Sequence, residues 1–263
     1  MKIYCLVENT AVSPDYKAEH GLSLLIETDS QRLLFDTGAS TAFAENATRM
    51  GIELAKVNLA VLSHGHYDHG GGLHWLLENH PSIPVWMSPH AFTPHYNAKG
   101  RFIGLDKALA HTASIRFIPT MVHPLADGIS LHSAEILTDS ISYGTNGMTR
   151  LVHGVMEQDD FRHELYVLIE SNGKKVLFSG CSHRGILNIV SHFRPDILIG
   201  GFHLTKPENP ADWENLHHTA AALSKFPITY YTGHCTSPEA FHVLKQHLRE
   251  RLHSFSSGEI LNI

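Results

Sequence analysis

The sequence predicts an α/β fold, and three observations carry that prediction. Short apolar runs of strand length alternate with stretches whose apolar residues recur at helical spacing. Most of those runs end in glycine beside a histidine or an aspartate. A β-hairpin followed by a helix occurs twice, at Leu22 to Phe35 and at Leu165 to Phe178, as an internal duplication would leave it. With 263 residues the chain exceeds the usual single-domain length yet stays within one large α/β domain, so a single domain with a sizeable core is expected.

The elements follow in order. Lys2 to Val7 is a β-rich first strand. Leu22 to Thr28 and Arg32 to Phe35 form a hairpin around the polar turn Asp29-Ser30-Gln31, ending at Asp36-Thr37-Gly38. Asp36 reads equally as a turn former and as a carboxylate that orients a metal-bound histidine. From Ser40 the apolar spacing is helical (Phe43, Ala47, Met50), with Gly51 as the stop. Val57 to Leu62 is a buried strand, and a helix carrying Leu73, Leu76 and Leu77 runs from the glycines to His80-Pro81.

Val85 to Met87 reads as a strand. The segment from there to about Glu157 holds short β-like runs (Ile115 to Ile118, Ile129 to Leu131, Ala134 to Leu137) broken by glycine and proline. Trp86, His90, Tyr96, Arg101, Phe102, Tyr143, Met148, Arg150 and His153 are scattered through it. Such a stretch serves as a substrate wall or as ordinary surface loops.

The second hairpin turns at Ser171-Asn172-Gly173 and ends in Ser179-Gly180-Cys181-Ser182-His183. Ile186, Ile189, Val190 and Phe193 mark the next helix. Asp196 to Ile199 is a strand ending in Gly200-Gly201-Phe202-His203, and Trp213, Leu216, Ala220 and Leu223 define a further helix. Pro227 to Tyr231 is a strand ending in Thr232-Gly233-His234-Cys235. Ser237-Pro238 starts a last helix carrying Phe241, Leu244, Leu248 and Leu252, and the tail from Ser254 carries no signal.

Composition narrows the function. A net charge of −6, with Lys and Arg scattered, points away from nucleic acid and anionic membrane as partners. Cys5, Cys181 and Cys235 are odd in number and lack C-x-x-C spacing, which fits a reducing, cytoplasmic setting. The first residues are too short an apolar run for a signal peptide, and no later run reaches bilayer length.

Ser63-His64-Gly65-His66-Tyr67-Asp68-His69-Gly70-Gly71-Gly72 places three imidazoles and a carboxylate within six positions. These are donors that a divalent metal accepts near neutral pH, and His-x-His puts two of them on one side of an extended segment. The chain has 22 histidines, so a merely histidine-rich loop is the alternative; position after a buried strand and before a glycine-led helix favours the metal. Apolar runs also end at Cys181/His183, His203 and His234, and parallel strands would gather those ends at one rim. His183 and His234 are ligand candidates. His203 is open between ligand, substrate-facing acid or base, and structural residue; Cys181 between ligand and inert buried thiol. Cys235 reads as packing, and His74, His80, His217, His218, His242, His247 and His253 as surface or packing residues on helices.

Ser63 to Gly72 resembles the H-x-H-x-D-H signature of the metallo-β-lactamase superfamily, and Leu33-Leu34-Phe35-Asp36-Thr37-Gly38 resembles its early strand and Asp-Thr-Gly turn. Ala18 to Ser23, Ser179 to Ile186, Gly200 to Leu204 and Gly233 to Thr236 are similar to the branch that includes the archaeal dihydropterin-ribofuranosylaminobenzene-phosphate synthases. The resemblance covers nearly the whole chain. It implies a four-layer αββα sandwich of two similar halves, about 1–130 and 131–263, with a one- or two-metal site at the sheet rim.

Carried over by position, the resemblance implies that His64, His66 and His183 hold one metal and that Asp68, His69 and His234 hold the other. Cys181 stands where the superfamily usually has a bridging aspartate, and a thiolate there favours zinc or iron; zinc is the first expectation, with iron, manganese or magnesium as alternatives. Histidine rather than glutamate at position 66 argues against the redox-active flavodiiron branch. The expected reaction is hydrolysis of an ester or phosphoester in a small-molecule substrate by metal-activated water, with Asp68 taking a proton and His203 stabilising charge or protonating the leaving group. The narrower resemblance implies a transferase alternative, in which an aromatic amine displaces pyrophosphate from a dihydropterin. A non-catalytic metal-bound sensor is the third reading. A true lactamase is not expected, given the long middle segment.

Overall fold

The structure is a computed structural model that describes residues 1–137 and 146–263; Tyr143 lies outside the described residues. The chain forms two compact units. The first takes the described residues of 1–120, 145–165 and 256–263, and the second those of 121–144 and 166–255.

The first unit opens with strand β1 (Lys2–Val7), then β2 (Ser23–Glu27) and β3 (Arg32–Phe35), paired antiparallel with Leu24 opposite Phe35. Helix α1 (Ala42–Arg49) buries Ala42, Phe43 and Ala47 and is followed by Gly51 at φ +69°. Strand β4 (Leu59–Val61) leads into a short helix α2 (Tyr67–Gly70) and then α3 (Leu73–Asn79), with Leu73, Leu76 and Leu77 buried. Strands β5 (Val85–Met87), β6 (His95–Tyr96) and β7 (Ile115–Phe117) follow. Asp68 and His69 sit on the four-residue helix α2, whose Gly70 N–H returns to His66 O.

Strands β8 (Val122–Ala126) and β9 (Ile129–Ser133) begin the second unit as a hairpin. Ala134–Ile136, expected as a strand, is a 3-10 turn because Ser133 caps it, its Oγ accepting from the Glu135 N–H at 3.2 Å. Strands β10 (Thr149–Val152) and β11 (Val155–Gln158) return to the first unit and join β6 in a three-stranded sheet. Strands β12 (Leu165–Ser171) and β13 (Lys174–Phe178) turn through Asn172 and Gly173, both at positive φ, the backbone an Asn-Gly hairpin turn requires. Helix α4 (Ile186–Phe193), strand β14 (Ile197–Ile199), helix α5 (Pro210–Ser224), strand β15 (Thr229–Tyr231) and helix α6 (Pro238–Leu248) complete the alternation.

Three expectations near the C-terminus are corrected. The last helix stops at Leu248, because Arg249 takes φ +52°; Leu252 and His253 form a strand β16 that pairs parallel with β15. His253 is thus not helical, and its ring stacks on Tyr231 at 4.8 Å. The tail carries strand β17 (Ile260–Asn262), which pairs antiparallel with β1. On α5, Leu216, Ala220 and Leu223 are buried, whereas Trp213 faces solvent.

Each unit has a seven-stranded sheet, in the orders β17-β1-β2-β3-β4-β5-β7 and β16-β15-β14-β13-β12-β9-β8. In the first, the parallel register sets Phe35 opposite Val61, so the residues after β3 and β4 leave the sheet side by side. In the second, Phe178, Ile199 and Tyr231 lie in register, which gathers the ends of β13, β14 and β15. Parallel sheets place functional loops at such carboxyl ends. The apolar side chains of α1 and α3 pack on the first sheet, and those of α4, α5 and α6 on the second. Among the described residues, no helix is long and apolar enough to cross a membrane.

Candidate metal centre

In the first unit the loop after β4 buries all three of its histidines: His64, His66 and His69. The ring centroid of His64 lies 4.6 Å from that of His66 and 4.1 Å from that of His69. The loop fits this tightly because it is glycine-rich. A Cβ on Gly65 would stand 2.1 Å from Ala91 O, and one on Gly71 2.3 Å from Ala39 O. The Thr37 N–H donates to His69 O at 2.7 Å, fixing the loop against the end of β3.

Asp36 is the anchor of this arrangement. It follows β3 at φ +61°, a backbone conformation that is uncommon without glycine. Its Oδ1 accepts the Ser63 N–H at 2.7 Å, and its Oδ2 accepts Ser63 Oγ–H at 2.7 Å and His69 Nδ1–H at 2.6 Å. A carboxylate only accepts, so His69 carries its proton on Nδ1. The Ser63 hydroxyl proton is committed to Asp36, so at 2.9 Å it is His64 Nδ1–H that donates to Ser63 Oγ. Both rings are thereby set as tautomers with the lone pair on Nε2, the form that a carboxylate–histidine–metal arrangement uses. The residues present fit a divalent metal. Asp36 thus takes the orienting role over the plain turn-forming one.

Asp68 is largely buried, and its Oδ2 lies 3.3 Å from Nε2 of the exposed His20. His20 sits in a stretch the sequence marks, but sequence alone gave it no role. A larger omission lies beside His66. His95 Nδ1–H donates to Asp159 Oδ2 at 2.7 Å, His163 Nε2 lies 3.5 Å from the same oxygen, and the Gly65 N–H donates to His163 Nδ1 at 2.9 Å. Phe161 N–H donates to Asp159 Oδ1 at 2.9 Å. The ring of His66 is 5.5 Å from that of His95 and 5.1 Å from that of His163.

Donor atoms of His66, His95, Asp159 and His163 all lie within 4.8 Å of one another, close enough to surround a cation. However, nitrogen and oxygen ligands on one tetrahedral ion stand about 3.3 Å apart, given metal–ligand bonds of about 2.0–2.1 Å. The 2.7 Å contact between His95 Nδ1 and Asp159 Oδ2 is therefore a hydrogen bond, and through the Gly65–His163 bond the group braces the loop that carries His64 and His66. Burial first, and then His163 and His95, hold the His66 imidazole well below its ordinary pKa. Burial and His95 likewise lower His163, to about 4, against the opposing pull of Asp159. Burial alone would raise the Asp159 carboxyl, but the hydrogen bonds from His163 and His95 prevail and hold it far below the carboxylate range. The His66 and His163 imidazoles are neutral at pH 7, and the Asp159 carboxylate is charged.

In the second unit three strand-end loops are stitched together. Ser182 Oγ donates to Gly201 O at 2.7 Å, and Phe202 N–H donates to Thr236 Oγ1 at 3.1 Å. His203 N–H donates to Cys235 Sγ at 3.3 Å, and Cys235 Sγ donates to Cys181 O at 3.5 Å. A Cβ on Gly201 would lie 2.2 Å from Cys235 Sγ, which accounts for glycine there. Cys181, His183 and His234 are buried and His203 is half-buried, its ring centroid 4.2 Å from that of His183. Ser182, His203 and His234 all take positive φ, as Asp36 does in the first unit. Strained backbone concentrated at strand ends is the pattern of sites whose side chains are aimed by the surrounding structure.

The donor-bearing strand ends of this α/β fold define a class. The family model of the metallo-beta-lactamase superfamily matches residues 16–234, and the chain belongs to that superfamily. Its fold is the metallo-β-lactamase fold, mixed α/β with sheets flanked by helices. The chain is 28% identical to a Methanocaldococcus jannaschii protein named 7,8-dihydropterin-6-methyl-4-(beta-D-ribofuranosyl)-aminobenzene-5'-phosphate synthase, covering 99% of this chain and 96% of that one. An uncharacterised protein of the same organism is 31% identical over 77% of this chain and 79% of its own length. A crystal structure described as a metal-dependent hydrolase of the beta-lactamase superfamily superimposes with a TM-score of 0.87 at 26% identity, covering 100% of this chain and 99% of that one. Members of the superfamily usually bind divalent metals, and the His/Asp clusters here could hold one.

Proposed function

We propose that the protein is a metal-dependent enzyme that hydrolyses an ester or phosphoester bond in a small molecule. The observation that supports it is the Asp36–Ser63 network, which holds His64 and His69 in tautomers suited to ligation through Nε2, in a buried loop beside Asp68. His64, His66, Asp68 and His69 of the first unit, and Cys181, His183 and His234 of the second, are the proposed ligands. Zinc is the first choice, since a thiolate among the donors favours a soft ion over magnesium. When bound, such an ion supplies Lewis acidity and a water of lowered pKa.

The chain's own groups do the rest. Asp68 accepts a proton, and His20, exposed and 3.3 Å from it, passes that proton to solvent. His203 stabilises developing charge or protonates the leaving group. The proposed partners are a small-molecule substrate and neither nucleic acid nor membrane, in a cytoplasmic setting; three free cysteines accord with a reducing compartment.

Hydrolysis of bis-p-nitrophenyl phosphate that disappears on chelation is the expected result, with at least one transition metal per chain. A His64→Ala/His66→Ala variant that keeps its full metal content would sink the ligand assignment. A second reading is favoured by the synthase-named relative that matches over nearly both full lengths: a transferase joining a dihydropterin diphosphate to an aromatic amine with loss of pyrophosphate. Turnover of that pair, with none on phosphodiesters or esters, replaces hydrolysis by transfer.

A further inference from the structure

The first unit carries a cleft of about 620 Å³ that the metal loop does not account for. It is lined by Lys107, Arg150 and Arg162 and by the imidazoles of His90, His111 and His153. No carboxylate is among the described residues that line it. In a chain of net charge −6, this gathers cations against the overall sign.

Two of the cations are held from behind. Asp160 pairs with Arg150 Nη1, and its Oδ2 lies 2.7 Å from Arg162 Nε and 2.6 Å from Arg162 Nη2. Glu157 adds a 3.3 Å contact to Arg150 Nη2. A guanidinium has five N–H donors, so these pairings fix both arginines, and those of Arg150 leave it donors over. Arg150 Nε is buried without a hydrogen-bond partner among the described residues. Lys107, on an exposed 3-10 turn, has no ion-pair partner among the described residues and supplies a further cation. Phe92, Pro94, Leu151 and Val152 give the cleft an apolar wall.

Fixed guanidiniums beside a mobile ammonium suit a planar-to-tetrahedral oxyanion with several acceptor oxygens, and a phosphate accepts from Arg bidentately and from Lys as a point charge. The volume falls in the range of about 300–1,000 Å³ typical of small-molecule pockets, so it holds more than the anion alone. The cleft also adjoins the brace along the chain: Pro94 precedes His95, and Arg162 precedes His163.

We propose that this cleft binds the phosphate of a small phosphomonoester whose apolar body rests on Phe92 and the β10 wall. This site stands independently of the reaction proposed above.

Isothermal titration of the full chain with phenyl phosphate tests it, run on metal-loaded protein and again after chelation, with benzoate and phenol as companions. Phenyl phosphate is expected to bind in both states, benzoate about tenfold more weakly and phenol not measurably. Lys107→Glu combined with Arg162→Gln should weaken phenyl phosphate by about tenfold or more while metal content is retained. Since Arg162 also pairs with Asp160, the exposed Lys107→Glu alone serves where the double variant melts early; about threefold weaker binding is then expected. Absence of phenyl phosphate binding, binding only with metal present, equal binding of benzoate, or wild-type affinity in the Lys107→Glu protein would each overturn the proposal.

Discussion

Two buried carboxylates in the first unit do similar local chemistry and different work. Asp36 and Asp159 are each 1% exposed, and each accepts an imidazole Nδ1–H, at 2.6 Å from His69 and 2.7 Å from His95. Asp36 spends its remaining capacity on Ser63, next to the ring it orients, so all of its partners belong to one loop. Asp159 instead collects His95, His163 and the Phe161 N–H, and His163 accepts the Gly65 N–H. It therefore ties two separate stretches of chain, one at His95 and one from Asp159 to His163, to the loop that carries His64 and His66. A carboxylate–imidazole pair is not by itself a sign of catalysis; what distinguishes the two is whether the imidazole's other nitrogen belongs to the ligand loop or to a brace.

The largest effect should come from removing the brace. Asp159→Ala leaves the buried His95 Nδ1–H and Phe161 N–H without their acceptor, at about 1–3 kcal/mol for each unsatisfied group. Urea unfolding of the chelated protein measures it, and a loss below about 1 kcal/mol would deny Asp159 a bracing role. The next effect is on pH dependence. His163 has a folded pKa of about 4 against 6.5 for the free side chain, so between these values the unfolded chain binds more protons. Its contribution is complete above about pH 6.5 and is lost as pH falls toward 4, on the order of 3 kcal/mol in all. His66, shifted in the same direction, acts with the same sign. Stability that is flat from pH 7 to 4 would contradict the burial of neutral imidazoles.

The same pair shows what a sequence makes legible. The Asp36 side could be read because its parts are local: an apolar strand ending in Asp-Thr-Gly, another ending in His-x-His, and a parallel register that sets Phe35 beside Val61. The Ser237-Pro238 helix start was readable for the same reason, with Ser237 Oγ accepting from the Ala240 N–H at 3.1 Å. The Asp159 side was not. His95 and Asp159 lie 64 residues apart, in a segment of strands too short for periodicity to register. Its one local signal was Asp159-x-x-x-His163 beside a second aspartate. Pairing between the two chain ends is equally silent in sequence, which is why β17 was missed; a three-residue strand is specified by its partner β1. Leu252 misled because a buried leucine at helical spacing looks the same when the chain turns at Arg249 and buries it from a strand.

Smaller effects should separate orientation from bracing. Asp36→Asn keeps the shape of the side chain but offers an amide where His69 Nδ1–H needs an anion. Loss of such an orienting partner lowers metal affinity by about 10–100-fold. Competition with a chelator should show that loss, whereas Asp159→Asn should leave metal affinity within a few-fold while lowering stability. Comparable metal loss in both variants would collapse the distinction between the two carboxylates.

Ser63→Ala probes the link with the least disruption. Its hydroxyl both donates to Asp36 Oδ2 and accepts from His64 Nδ1, so its removal costs two hydrogen bonds but leaves the Asp36–His69 contact in place. Net stability should fall by about 1–3 kcal/mol, at about 0.5–1.5 kcal/mol per bond. The more telling consequence is tautomeric. Without Ser63 Oγ, nothing in that network holds the His64 proton on Nδ1, whereas Asp36 still holds that of His69. Nitrogen-15 shifts of the two rings in metal-free protein should then show a mixed tautomer at His64 and an unchanged Nδ1–H form at His69. If both rings keep their tautomers, Ser63 is packing and the orienting role rests on Asp36 alone.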